Sequence, residues 1–493
     1  MVKYQRFIKN VGLMGIAQFI LNIQVFLLIP IMTKFLGAYN YGIWSQIKIT
    51  ILLLSGLAMF GFNASILRFI SGRKDKKKVS KEFISILSLC GLSALILSLL
   101  IFLFSNKLSL ILTHSLQAGI FFKLAAILIF FNVLYSLFLY FLRAKENIKI
   151  FSLIELIRAV LEISLIYILL LKGYDILGII IAYIVTKIIV ILFSITQTKK
   201  YFKLQKPSFK IIKPYLFFGL PLMFLPFLNI LIQGGDKYVI GYFLGAKQVG
   251  IYALAYSLTW ILQEVFRPIN MVLLPKLSSA INNNQIKESK IYFNYSYKYT
   301  FLLLIPSLFG LSLLANYIIP LIATSEFIGA SKLIPILGAG MLFSVIWTFA
   351  TIILQLQGKT KNILIILLSL TLLNFLLNIL LVPFLQINGA AISTLITFVI
   401  SGIIAMRIIH KAGMDLMPKF IGKSVIASLI MGIVIWYLKF LNINVILKII
   451  VIIILGGLVY LISMFLLKGI QMQELVKIIR LGIKRKGLKN ENP

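Results

Sequence analysis

The sequence predicts an all-α membrane protein of about fourteen transmembrane helices with both termini cytoplasmic, and three observations carry that expectation. Of 493 residues, 60% are hydrophobic and 13% are charged. A soluble domain is about half apolar and about a quarter charged, so this chain lacks the polar surface a water-soluble globule needs. Its apolar residues fall in runs of about 20, the length that crosses about 30 Å of hydrocarbon at about 1.5 Å per residue. Its bases, 49 Lys and Arg against 13 Asp and Glu, gather in every second connection between those runs. A nucleic-acid binder of net charge +36 would instead cluster its bases on a polar surface, which excludes nucleic acid as a partner. Two His and a single Cys, Cys90, exclude a disulfide framework, a Cys/His zinc site and a cysteine redox centre, and no metal or cofactor is expected.

Taken in order, the first span, 11–34, follows Lys3, Arg6 and Lys9; it is too long for a signal-peptide core and has no small-residue cleavage site, so it is expected to be retained. Span 43–66 leads to the cluster Arg68, Arg73, Lys74, Lys76, Lys77, Lys78 and Lys81. Spans 83–105 and 119–142 are joined on the opposite side and end at Arg143, Lys145 and Lys149. Spans 151–171 and 176–196 lead to Lys199, Lys200, Lys203, Lys206, Lys210 and Lys213. Spans 215–243 and 249–274 lead to Lys276, Lys287, Lys290 and Lys298; spans 297–322 and 331–354 lead to Lys359 and Lys361. Spans 363–384 and 389–408 lead to Arg407, Lys411, Lys419 and Lys423, and spans 422–441 and 446–467 to a basic tail. With fourteen spans, 36 of the 49 bases fall on one face, the cytoplasmic one by the positive-inside rule. These clusters also suit anionic membrane lipids. The tail, with Leu475, Ile478, Ile479 and Ile483, reads as an interfacial amphipathic helix.

Phe35-Leu36-Gly37-Ala38 followed by Gly42-Ile43-Trp44 returns 208 residues later as Phe243-Leu244-Gly245-Ala246 followed by Gly250-Ile251-Tyr252. An even number of spans separates the copies, which makes the repeat parallel. The expected organisation is a six-helix lobe over 1–205, a second over 206–410, two further helices over 411–467 and the basic tail over 468–493.

An ionisable side chain at mid-membrane costs about 2.5–3.5 kcal/mol on insertion scales, so each needs a reason. Glu155, Arg158 and Glu162 share one helical face, and Lys187 on the next span can answer Glu162; this reads as an intramembrane charge network that stabilises its lobe. Glu264 and Arg267 form another pair, read either as snorkelling at the interface or as a cavity wall. Lys48 and Lys237 lie toward the outer halves of their spans, read as cavity-facing cations or as interfacial snorkels. Asp236 is adjacent to Lys237 and so does not face it on a helix. Pro214, Pro221 and Pro226, then Gly234-Gly235, predict a kinked seventh span. Gly358-Lys359-Thr360 and Gly422-Lys423-Ser424 imitate the end of a phosphate loop but lack its first glycine.

Three stretches give the chain a family resemblance. They are Asn10-Val11-Gly12 leading to Thr33-Lys34-Phe35-Leu36-Gly37, Gly235-Asp236-Lys237-Tyr238 running to Gly245, and Leu373-Asn374-Phe375-Leu376-Leu377-Asn378 running to Pro383. The chain resembles the oligosaccharide flippases of the polysaccharide transporter family, the O-antigen flippase type, within the multidrug/oligosaccharidyl-lipid/polysaccharide exporter superfamily. The resemblance implies inner-to-outer translocation of a polyprenyl-(pyro)phosphate-linked oligosaccharide by alternating access at the cell membrane, with no catalysis. It implies Lys48, Lys237 and Arg267 as cationic partners of the diphosphate or of acidic sugars. Asp236, the only acid on the seventh span, and Glu264 are the candidates for ion coupling. A polysaccharide polymerase and glycosyltransferases would be partners. The alternatives are a multidrug or cation antiporter, which should carry acids in its cleft, and a membrane glycan polymerase, which should carry acids on a sizeable outer loop. The first span has no acid between Lys9 and Lys34, and the outer connections carry only scattered ones such as Asp175 and Glu326.

Overall fold

A computed structural model describes residues 2–470 apart from 204, 265, 266 and 284; side chains are described from Ile20 onward, apart from those at 264–268, 270–272 and 282. Among the described residues all regular structure is helical. The helices are α1 (Val2–Ala58), α2 (Phe62–Phe69), α3 (Lys76–Thr113), α4 (Gly119–Ala144), α5 (Ile148–Leu171), α6 (Asp175–Thr198), α7 (Phe209–Gly234) and α8 (Asp236–Leu244). They continue with α9 (Ala246–Glu264), α10 (Arg267–Asn282), α11 (Ile286–Ile322), α12 (Ala330–Leu356), α13 (Thr360–Lys411), α14 (Pro418–Leu438) and α15 (Val445–Leu466). Short 3₁₀ turns occupy Lys199–Tyr201 and Ser325–Phe327.

These helices carry the fourteen expected spans, with joints where the backbone demands them. α1 holds the first span and most of the second, broken at Gly37 (φ 67°, ψ 177°), a conformation glycine adopts at no steric cost. α13 likewise holds the eleventh and twelfth, broken at Gln386 (φ 54°, ψ −140°). The second span resumes as α2 after Gly61 (φ 73°). α7 runs through Pro214, Pro221 and Pro226 and ends at the glycine pair, so the seventh span is α7 with α8 and the eighth is α9 with α10. Among the described residues, ten helical stretches are long and apolar enough to cross a bilayer. α5 is not one of them because Glu155, Arg158 and Glu162 interrupt it. Expectations for the basic tail beyond 470 lie outside the described residues.

A bilayer offers no hydrogen-bond partners, so polar groups must be satisfied internally. Thr33, Ser194 and Thr198 donate to the carbonyls of Ile29, Val190 and Ser194, at 2.8, 2.6 and 2.7 Å. α3 instead leaves Leu92, Leu95, Ile96, Leu99 and Leu103 exposed, which is tolerable only against lipid. At its N-terminus the Asp75 carboxylate accepts from the backbone N–H groups of Lys77 and Lys78 at 2.9 and 3.2 Å.

The chain divides into two compact units. The first comprises Met1–Ala255, Pro320–Ala330 and Lys359–Thr397. Its core packs Phe62, Phe83, Phe138 and Phe141 with Val133, Ile154 and Val190. Within it α3 pairs with α4 and α5 with α6, while α1 packs on α5. The second comprises Tyr256–Ile319, Ser331–Gly358 and the chain from Phe398 onward, with a core around Phe293, Tyr297, Phe301 and Phe349. There Tyr460 of α15 donates to Leu302 O of α11 at 2.8 Å and lies 2.8 Å from Ser424 Oγ of α14, tying the last two helices to α11.

Candidate functional site: intramembrane charges of the first unit

Four helices bring one charge network together. Arg158 reaches back to Glu155 Oε2 (Nη2, 2.9 Å; Nε, 3.1 Å) and forward to Glu162 Oε2 (Nη1, 2.7 Å), as three- and four-residue spacing on a helix allows. Gln24 of α1 donates to the same Glu162 oxygen at 2.6 Å. Lys187 of α6 stands 3.8 Å from Glu162 Oε1 and 3.8 Å above the Tyr135 ring centroid, and Tyr135 of α4 donates to Glu155. Glu155, Glu162 and Lys187 are all buried. The sequence names the acids and bases of this network; Gln24 and Tyr135 escape it, because nothing in one chain says which helices face each other.

Lys48 is exposed, unlike most of its neighbours on α1, and lies within electrostatic reach of Glu162 and Arg158. It also lies within reach of Lys237, which is half-buried at the start of α8. Two ammonium groups are thus brought near each other in the spanning region. Gln46, one turn from Thr50, donates to the Lys237 carbonyl at 3.2 Å, and Thr50 Oγ1 pairs with the Tyr238 hydroxyl at 2.8 Å, so α1 and α8 are fastened together around the two lysines.

Asp236 sits at the start of α8, fully buried, and accepts from Thr394 Oγ1 (2.9 Å), Asn378 Nδ2 (3.3 Å) and the Tyr252 hydroxyl. Asn374 Oδ1 accepts from Asn378 Nδ2 at 3.2 Å, and Asn378 Oδ1 has no hydrogen-bond partner although buried. A buried carboxylate held by two hydroxyls and a carboxamide, beside the unpartnered Asn378 Oδ1, can take a proton or, with the hydroxyls turned to present their oxygens, a small cation. Among the described residues no group of three His, Cys, Asp or Glu gathers as a metal site. Asn374 and Asn378, four apart in an apolar run, were a visible signal of a buried polar cluster; Thr394 and Tyr252 were not.

Of the remaining charges, Glu264 ends α9 and Arg267 begins α10, and their side chains lie outside the described residues. On the connection after α4, Lys145 donates to Arg73 O at 2.9 Å, and burial with Arg73 alongside pushes its ammonium below the usual lysine range. Arg73 itself pairs with Glu82.

Residues 7–281, more than half of the chain, match the family described as "Polysaccharide biosynthesis protein", and residues 221–380 match the MatE family. "Probable low-salt glycan biosynthesis flippase Agl15" of Haloferax volcanii is 22% identical over 459 residues, 92% of this chain and 95% of that protein. "Probable flippase AglR" of the same organism is 24% identical over 209 residues, 41% of this chain and 43% of that protein. Among solved structures, lipid II flippase MurJ in an inward closed conformation superposes with a TM-score of 0.75 at 20% identity, covering 92% of this chain and 98% of that one. An inward-facing multidrug resistance MATE family transporter superposes with a TM-score of 0.65 at 17% identity, covering 78% and 94%. At such identities the two structures establish a shared fold.

Proposed function

Because the chain belongs to the polysaccharide biosynthesis protein family, we propose that this multi-pass cell-membrane protein is a flippase carrying a polyprenyl-(pyro)phosphate-linked oligosaccharide from the inner to the outer leaflet by alternating access. The observation that carries the reading is the placement of Lys48 and Lys237. Like charges near each other in low dielectric repel; Glu162 and Asp236 offset part of that cost, and an anionic diphosphate or acidic sugar between the two ammonium groups would offset more of it. Arg267 is the third cation of the proposed path, and the six-helix lobes 1–205 and 206–410 are the bodies that would alternate about it. The Agl15 and MurJ likenesses point to the same class of cargo. Asp236, and Glu264 with it, would couple transport to a proton or small cation.

The test is glycan export in cells that depend on this gene. Lys48→Gln with Lys237→Gln is expected to abolish export while membrane protein level holds; full export by that pair would sink the assignment. Asp236→Asn should slow export without changing which glycan appears at the surface.

The MATE likeness keeps a cation antiporter as the second reading. Asp236 is the observation on its side, since a buried acid is what a cationic drug would seek. Asp236 is buried among its donors, with room for a proton or small ion but not for a drug, whereas Lys48 is exposed, which favours an anionic cargo.

A further inference from the structure

The two copies of the glycine repeat meet backbone to backbone within the first unit. A Cβ on Gly42 would collide with the carbonyl of Ala246, and a Cβ on Gly250 with the carbonyl of Ala38. Each glycine therefore rests on the residue that follows the other copy's positive-φ glycine, Gly37 or Gly245. Only glycine permits that approach.

Two loops secure the contact, one touching both copies and the other the second copy. In the loop after α11, Glu326 Oε2 accepts from the Ala38 N–H at 2.8 Å, Phe327 sets its ring 5.8 Å from that of Tyr41, and Gly329 lies against Ile251. In the loop after α3, His114 Nε2 pairs with Tyr242 O at 2.9 Å beside the second turn. The last carbonyls of an α-helix lack partners of their own. Here Thr33 donates to Ile322 O, the end of α11, at 2.6 Å, and Gln46 donates to Leu112 O, near the end of α3, at 3.0 Å.

We propose that this clasp is the outer gate of the flippase and that Glu326 and His114 are its latches. The assignment rests on the alternating-access reading above. It also rests on the side of the chain: the clasp lies at the ends of the spans remote from the basic connections. Glu326 and His114 are exposed, so each bond exchanges readily with water and contributes only modestly, which suits a contact that must open on every cycle. The glycine contact supplies the fit, and the latches set how long it stays shut.

The test reads access to Lys48→Cys in a Cys90→Ser background, with a membrane-impermeant maleimide applied to intact cells. Glu326→Ala with His114→Ala is expected to raise the labelling rate roughly tenfold, the loss of two exposed hydrogen bonds. Gly250→Ala, which cannot close, is expected to label fast whatever the latches; Gly42→Ala serves if that variant does not reach the membrane. Labelling of the latch pair at the parent rate overturns the latch assignment. Parent-rate labelling of the glycine variant overturns the gate. Labelling does not require export, so a protein that opened as expected while the Lys48→Gln/Lys237→Gln pair still exported glycan in full would refute the cargo assignment and leave the gate standing.

Discussion

Arg158 holds two carboxylates that would otherwise face each other in low dielectric, with Gln24, Tyr135 and Lys187 completing the enclosure. Removing one partner of a buried ion cluster leaves an uncompensated charge and typically costs about 3–5 kcal/mol, whereas neutralising every member can cost little. Arg158→Gln is therefore expected to lower the amount of folded protein in membranes several-fold, and Glu155→Gln/Arg158→Gln/Glu162→Gln/Lys187→Gln, which neutralises every member, to restore it. Fluorescence-detected size exclusion of detergent extracts measures both. If the quadruple variant folds and still exports glycan, the network is structural; if it folds and does not export, these charges act on the cargo. At this scale the sequence was informative about which residues carry charge and silent about who surrounds them. Glu155, Arg158 and Glu162 announce themselves by spacing alone, but Gln24 lies 138 positions from Glu162, and only packing brings them together. Asp236 is the same case: its acid was plain, while Thr394 is 158 positions away.

Among the elements, hydrophobic runs located the helices well because crossing a bilayer imposes one length and one polarity. The joints were less legible. Gly37 and Gly245 were readable because the motif repeats, but the break between α1 and α2 at Gly61 depends on a partner. Gly61, at φ 73°, lies against Gly219 of α7, and a Cβ on Gly219 would press on Phe60 O, the Ser65 hydroxyl and Gly61. Ser65 Oγ also donates to Tyr215 O at 2.7 Å, so the short α2 is anchored to α7. Pro221 and Pro226, the residues the sequence marks in α7, sit inside a continuous helix. Gly219→Ala is expected to destabilise by about 1–3 kcal/mol, the usual cost of overpacking, seen as a lower thermal midpoint in detergent. Gly56→Ala, whose Cβ meets nothing within 4 Å, is the matched control and should leave the midpoint unchanged or slightly raised. Equal midpoints for the two variants would show that the α2–α7 contact does not hold the joint.

For the molecule as a whole, the charge of +36 is explained by topology, since 36 of 49 bases lie in alternate connections once fourteen spans are counted. The helices support that count in a way composition alone does not: α5, with Glu155, Arg158 and Glu162 within its span, and the divided α9 and α10 both have to cross for the alternation to hold. If α5 did not cross, every base after Lys172 would change sides, placing the Lys199 to Lys213 cluster outside at a cost that loops this short do not tolerate. An alkaline phosphatase fusion after Lys107 or Lys172 is expected to be active and a green fluorescent protein fusion there dark, with the reverse after Lys78, Lys206 and Lys361. Active phosphatase after Lys206 alone would mean an odd number of crossings before it and would put Gly42 and Gly250 on opposite faces, which their contact forbids. Inversion of the whole pattern, with phosphatase active after Lys78, Lys206 and Lys361 and inactive after Lys107 and Lys172, would put the clasp on the cytoplasmic face, so the fusion result fixes which face of the membrane the gate closes.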